Sequence, residues 1–263
     1  MGFDIVGFAE AAPGANGKIA APTDSIYHTS GDDLFIKPEK PYLLGVFSAL
    51  QSTGAAVKID QPSLKNPYYF IKSFQHGLYQ LSDGWHHLFG RPLPLVPGEK
   101  LNVEAVNATD EDALVGLILG SSRISQAMLD SVNPTHRITG YSDTTVVANA
   151  WSTCPITWDE DLPAGRYAVV GMRVGCWLTG AITEEASIAR LIMPEASNER
   201  PGVPALYMGA DHEEYQIAGV EPWVDWPFMP EVSFTNLHMP NIEVLSQQAW
   251  TDEEVELMLQ RIG

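Results

Sequence analysis

The seven histidines (His28, His76, His86, His87, His136, His212 and His238) are the residues best suited to metal or acid–base chemistry. A metal site on paired β-sandwiches needs His-x-His, because alternate strand residues point to one face and can share an ion. The sequence has none, and the adjacent pair His86-His87 would face opposite sides of a strand, so both read as polar loop residues. HExxH and zinc-type cysteine pairs are absent, as are the P-loop and a GxGxxG before a helix. Nucleophilic catalysis has no better support. GxSxG does not occur, and neither Cys154, before Pro155, nor Cys176, in Gly175-Cys176-Trp177, is flanked by a base that would lower its pKa. The expectation is no catalytic residue, no metal and no cofactor.

Acidic clusters remain: Asp110-Glu111-Asp112, Asp159-Glu160-Asp161, Glu184-Glu185 and Asp211-His212-Glu213-Glu214. They read as solvated turns, with calcium binding as the alternative; a carboxylate pair for glycoside hydrolysis would have to flank a sugar in space. The aromatic run Trp223-Val-Asp-Trp226-Pro-Phe228 has three readings: core packing, an intersubunit anchor, or a stacking platform for carbohydrate. Phe3, Ile5, Val6 and Phe8 read either as an anchor to a neighbouring subunit or a lipid surface, or as part of a loose tail. The candidate interface residues are therefore Phe3, Ile5, Phe8, Trp223, Trp226, Phe228 and Trp250.

The elements that must carry these residues are short. The 263 residues are 45% hydrophobic and 18% charged, enough for a packed core and too apolar for disorder. The formal charge of −18 opposes direct nucleic-acid binding, whose affinity comes from Lys and Arg on phosphates. Two cysteines are too few for a disulfide scaffold; buried thiols are expected, with one cross-sheet disulfide as the alternative. No apolar run reaches a membrane span, and the first residues lack the pattern of a secretory signal, which leads to the expectation of a soluble, cytoplasmically made protein. Prolines and glycines divide the sequence into strand-like pieces: Tyr42–Leu50, Ala56–Ile59, Lys100–Val106, Ala113–Leu119, Thr144–Ala150, Tyr167–Val174 and Ile188–Met193. Helical signals are confined to Ser125–Val132 and to Trp250–Gly263, where Thr251 and Glu254 match a capping box and Val255, Leu257, Met258 and Ile262 are apolar. Many short strands imply an all-β sandwich or barrel.

Internal similarity sharpens that picture. Thr23-Asp24-Ser25 resembles Ser142-Asp143-Thr144, Tyr42-Leu-Leu matches Tyr167-Ala-Val, and Thr53-Gly54-Ala55 recurs as Thr179-Gly180-Ala181. Val57-Lys58-Ile59 then aligns with Ala189-Arg190-Leu191, and Pro67 with Pro201, the offset rising steadily from 119 to 134 residues. Such a drift suits one domain written twice with longer loops in the second copy. The expected organisation is an N-terminal arm (1–18), a first unit (19–136), a second unit (137–249) and a C-terminal helix (250–263), joined near Pro134.

This layout resembles the double jelly-roll capsid proteins, the lineage of adenovirus hexons and tectivirus coats. The likeness rests on the paired units, on the run Leu93-Pro-Leu-Val-Pro-Gly-Glu-Lys-Leu-Asn-Val-Glu-Ala-Val-Asn107 and on its counterpart Leu162-Pro-Ala-Gly-Arg-Tyr-Ala-Val-Val170, Pro-Gly phrases leading into strands. The chain is compact for that family and is closest in size to a small icosahedral bacteriophage coat. The resemblance implies two tandem jelly rolls and a major capsid protein that self-assembles into trimeric, pseudo-hexagonal capsomers. It also implies contacts with neighbouring capsomers and other virion proteins, an inward face able to meet an internal membrane, and a place in the virion after synthesis in the host cytoplasm.

Overall fold

The computed structural model describes residues 2–50, 56–70, 85–88, 90–106, 112–123, 125–177, 187–208, 224–225, 232–249 and 251–263. The protein is all-β, with several sheets, one of them curled into a half-barrel. Among the described residues the only helix is α1 (Gln126–Leu129), inside the stretch where a helix was expected.

In the N-terminal half, one sheet runs β1 (Phe3–Glu10), β10 (Ala113–Gly120), β4 (Tyr42–Leu50), with β7 (Trp85–His87) and β8 (Leu93–Pro94) sharing the far edge of β4. The facing sheet runs β2 (Thr29–Ser30), β3 (Asp33–Phe35), β9 (Lys100–Val106), β5 (Ala56–Asp60), β6 (Tyr68–Phe70). Alternation puts Val57 and Ile59, and Leu101, Val103 and Ala105, on the inner face, where they pack with Val6, Phe8, Val46, Val115 and Leu117. The turn into β9 is set by Pro97-Gly98: Gly98 takes a left-handed φ of 78° and Glu99 N–H donates to Val96 O at 3.3 Å.

The C-terminal half is a curled sheet of ten strands. Its order is β12 (Trp151–Cys154), β19 (Asn241–Ser246), β15 (Ser187–Ile192), β16 (Gly202–Met208), β14 (Arg166–Trp177), β20 (Thr251–Arg261), β11 (His136–Ser142), β13 (Thr157–Trp158). β17 (Val224–Asp225) and β18 (Ser233–Thr235) lie beside β14. A short parallel contact between β14 and β16 joins the two walls of the curl. Inside sit Ile138, Tyr167, Val169, Val174, Leu191, Ile242, Val244, Val255 and Leu257.

One order of pairing occurs in both halves. β1-β10-β4 flanked by β7 and β8 corresponds to β11-β20-β14 flanked by β17 and β18, and β3-β9-β5-β6 corresponds to β12-β19-β15-β16. Two of the repeated phrases fall on corresponding strands, Tyr42 with Tyr167 on β4 and β14, and Lys58 with Arg190 on β5 and β15.

Three expectations are corrected. Residues 250–263 are not a helix: Thr251–Arg261 form β20, the strand between β11 and β14. Inward residues there are Glu253, Val255, Leu257 and Leu259, a period of two that the carboxylate of Glu253 hides from a hydrophobicity reading. Residues 1–18 are not a detached arm, because Phe3–Glu10 pair along their whole length with β10. Thr144–Ala150 is a connection with isolated bridges, among them a parallel one from Ala148 to Ser246.

Candidate functional site

The two halves meet face to face. The outer side of β1-β10-β4 offers Ile5, Ala9, Phe47, Ala49 and Leu114, which pack against Ile188 of β15, Leu245 of β19 and the partly buried Trp151 of β12. Glycines set the closeness: a Cβ on Gly116 would lie 2.9 Å from Ile188 Cδ1, and one on Gly7 would overlap Leu245.

Beside this apolar patch lies a network of buried charge. Arg190, on the outer face of β15, has no exposed surface. Its Nη1 donates to Asp24 Oδ2 at 2.6 Å and to the Ile5 carbonyl at 3.4 Å, while Nε donates to Glu243 Oε2 at 2.7 Å. Nη2 donates to Ser25 Oγ at 3.3 Å, and the guanidinium sits 3.7 Å from the centre of the Trp151 ring. Arg200 approaches the same Glu243 oxygen at 3.4 Å, and its backbone N–H donates to Asp4 Oδ1 at 2.6 Å. Tyr27 completes the network by donating its hydroxyl to Asp4 Oδ2 at 2.9 Å. Burial, then the charge of Asp4, pushes the Tyr27 phenol well above its ordinary pKa, so it stays a donor. Asp24 is itself held by the backbone N–H groups of Ile26 and Tyr27, at 2.8 and 2.9 Å. Lys40 and Glu199 pair at 3.2 Å on the rim.

The network crosses the joint at two acids of the N-terminal half: Asp24 pairs with Arg190 and Asp4 accepts from the Arg200 backbone N–H, while Glu243 pairs with both arginines within the C-terminal half. Such a network resists sliding, since any shift leaves a buried charge without its partner. Its chemistry is that of a clamp, with planar guanidinium groups fixing direction through several donors at once.

The residues singled out from sequence fare differently. Phe3, Ile5 and Phe8, expected at an intersubunit or lipid surface, are buried within the chain's own cores, because β1 is a paired inner strand. Trp223, Trp226, Phe228 and Trp250 lie outside the described residues. His86 and His87, expected in a loop, belong to β7, which pairs with β4. His28 stacks on Phe35, His136 meets Tyr167 edge-on, and His238 lies 3.2 Å from Glu195. Asp159 and Glu160 hold the side chain and backbone N–H of Thr139, each at 3.0 Å. Cys154 is a buried thiol 3.7 Å from the Ser152 carbonyl. Among the described residues no three His, Cys, Asp or Glu side chains converge on a metal position, and no helix is long and apolar enough to cross a membrane.

The clamp was missed in the sequence, although a signal exists. Arg190, Glu243 and Asp4 are lone charges inside otherwise apolar strand runs, and such a charge has to find a partner when the strand is covered on both faces. No protein-family model matches the chain, and no curated protein matches it in sequence.

Proposed function

We propose that the chain is a structural virion protein, a major capsid protein of two tandem jelly rolls whose trimers tile an icosahedral shell as pseudo-hexagonal capsomers, with no catalytic role. The observation that carries the reading is one strand order used twice. Each half sets its first strand beside its last and that strand beside its fourth, β4 or β14, and faces them with strands in the order β3-β9-β5-β6, a separate sheet in the N-terminal half, or β12-β19-β15-β16, the other wall of the one curled sheet in the C-terminal half. This interleaved order supports reading each half as a jelly roll.

Polarity adds support. Leu50 pairs with Ala113, and Ala56 with Val106, so β4, β5, β9 and β10 reach one common end of the N-terminal half at these residues. The Gln247 amide donates to the Ala49 carbonyl at 3.4 Å, and Gln248 approaches Asp112 at 3.5 Å, so the corresponding end of the C-terminal half lies on that same side. Two sandwiches standing side by side with like ends together, and locked by the buried clamp, suit a rigid tile. The charge of −18 suits a shell component that leaves the genome to other virion proteins. Size-exclusion chromatography with light scattering, followed by negative-stain microscopy, tests this: trimers and hexagonal tiles are expected, and a monomer at high concentration would exclude the coat role.

A further inference from the structure

The interior of the C-terminal half holds a carboxylate that the fold leaves unanswered. Glu253 of β20 is 1% exposed and lies on the inner face of its strand. Neither of its oxygens has a hydrogen-bond partner among the described residues, and no described Lys or Arg pairs with it. The Ser142 hydroxyl, paired with it on β11, is committed to Thr144: it donates to Oγ1 at 3.0 Å and accepts the backbone N–H at 3.3 Å. A buried carboxylate in that state is costly until a partner satisfies it, and a bound ion is one such partner.

Both cysteines of the chain are neighbours of this residue. Cys154, fully buried on β12, is the side chain that most favours the charged form of Glu253. Cys176 is the residue opposite Glu253 in the ladder of β14 and β20, and directly paired residues share one face of a sheet. The ladder carries a bulge here. Its register shifts between Cys176 and Trp177, and Asp252 takes a left-handed φ of 70°. Asp252 is the extra residue, and bulges of this kind re-aim the side chains beside them. β12 belongs to one wall of the curled sheet, β14 and β20 to the other.

We propose that Cys154, Cys176 and Glu253 form a site for a thiophilic divalent cation, with Zn²⁺ as its type. Two thiolate sulfurs and a carboxylate oxygen are donors that Zn²⁺ accepts in tetrahedral coordination, the fourth place going to water. Calcium and magnesium, which take oxygen donors, do not suit the sulfurs. On binding, each thiol releases its proton to solvent, and the cation supplies the positive charge that Glu253 lacks. Cys154 and Glu253 enter by their side chains and Cys176 by its backbone register alone. The role is structural: the ion ties β12 to β14 and β20 across the core, whatever the chain assembles into.

Cobalt titration of the full-length chain, freed of metal with EDTA and kept reduced, tests the site, because cobalt bound to thiolate sulfur absorbs strongly in the near ultraviolet. The band is expected to grow until cobalt equals protein, to vanish as Zn²⁺ displaces cobalt, and to be lost in Cys154→Ser and in Cys176→Ser. Glu253→Gln is expected to keep the band while binding at least about tenfold more weakly. Zinc is also expected to raise the melting temperature of the wild type and not that of the cysteine variants, since a ligand of the native state alone stabilises it. Circular dichroism shows which variants fold, and the wild-type chain decides alone where one does not: absence of the thiolate band overturns the site. A band that survives Cys154→Ser or Cys176→Ser overturns the ligand assignment, and so does a purified chain whose two cysteines are joined as a disulfide.

Discussion

Arg190 is the residue on which most of the joint depends. Replacing it by Met keeps the volume but leaves Asp24 buried without its cation and Glu243 with Arg200 alone, and breaking a buried pair typically costs about 3–5 kcal/mol. Urea denaturation of Arg190→Met should show a loss of that order. Adding Asp24→Leu and Glu243→Leu should recover much of it, because an apolar replacement of a whole buried ion network is often near neutral. Recovery would assign the network to orientation, not to net stability. Glu253 makes the opposite kind of contribution. It is buried on the inner face of β20 near Cys154 and Ser142, and burial, reinforced by the charge of Asp252, raises its pKa from 4.5 to about 7. Its folded pKa lies above its unfolded one, so the native state binds the extra proton. The contribution of Glu253 is greatest below about pH 4.5, falls as pH rises toward about 7, and is level beyond. Thermal melts of Glu253→Gln are expected to lose that decline and to exceed wild type at pH 8. Glu195 behaves inversely: hydrogen bonds from Thr235 and then His238 hold it at about 2, so its small contribution is present above its unfolded pKa and disappears in acid.

At the scale of elements, the sequence was most legible where alternation was clean. Lys100–Val106 was expected as a strand and is β9 with those bounds, its inward Leu101, Val103 and Ala105 all apolar, and Tyr42–Leu50, expected from its apolar run, is β4. The terminal segment was misread because Glu253 breaks its alternation and the chance pairing of Thr251 with Glu254 mimics a helix cap. The N-terminal segment was misread because seven consecutive buried residues, Phe3–Ala9, have no period: one face serves the N-terminal core and the other the joint. The joint itself was illegible for a related reason, since the sequence of one strand does not name the strand that covers it. These readings have consequences. Ending the chain before Thr251 removes the strand between β11 and β14, and the C-terminal half is expected to lose cooperative unfolding in calorimetry. Leu257→Ala within β20 should cost about 2–5 kcal/mol, as for a fully buried leucine. Gly7→Val forces Leu245 away from β1 and should lower stability by about 1–3 kcal/mol, with Leu245→Ala partly restoring it.

At the scale of the whole molecule, the same pairing order appears twice and the halves are bound by an interface with an apolar centre and a charged clamp. The phrases shared by Tyr42 and Tyr167, and by Lys58 and Arg190, made the repetition visible in the sequence because they fall on corresponding strands. The match of Thr23-Asp24-Ser25 to Ser142-Asp143-Thr144 does not follow the strands, since Thr23 lies well after β1 whereas Ser142 is the last residue of β11. On the coat reading, two like halves per chain let a ring of three copies approximate sixfold symmetry. Electron cryo-microscopy of the purified full-length protein measures this most directly. Expected is a closed ring of three chains, six similar barrels in all; a map of separate monomers would contradict it.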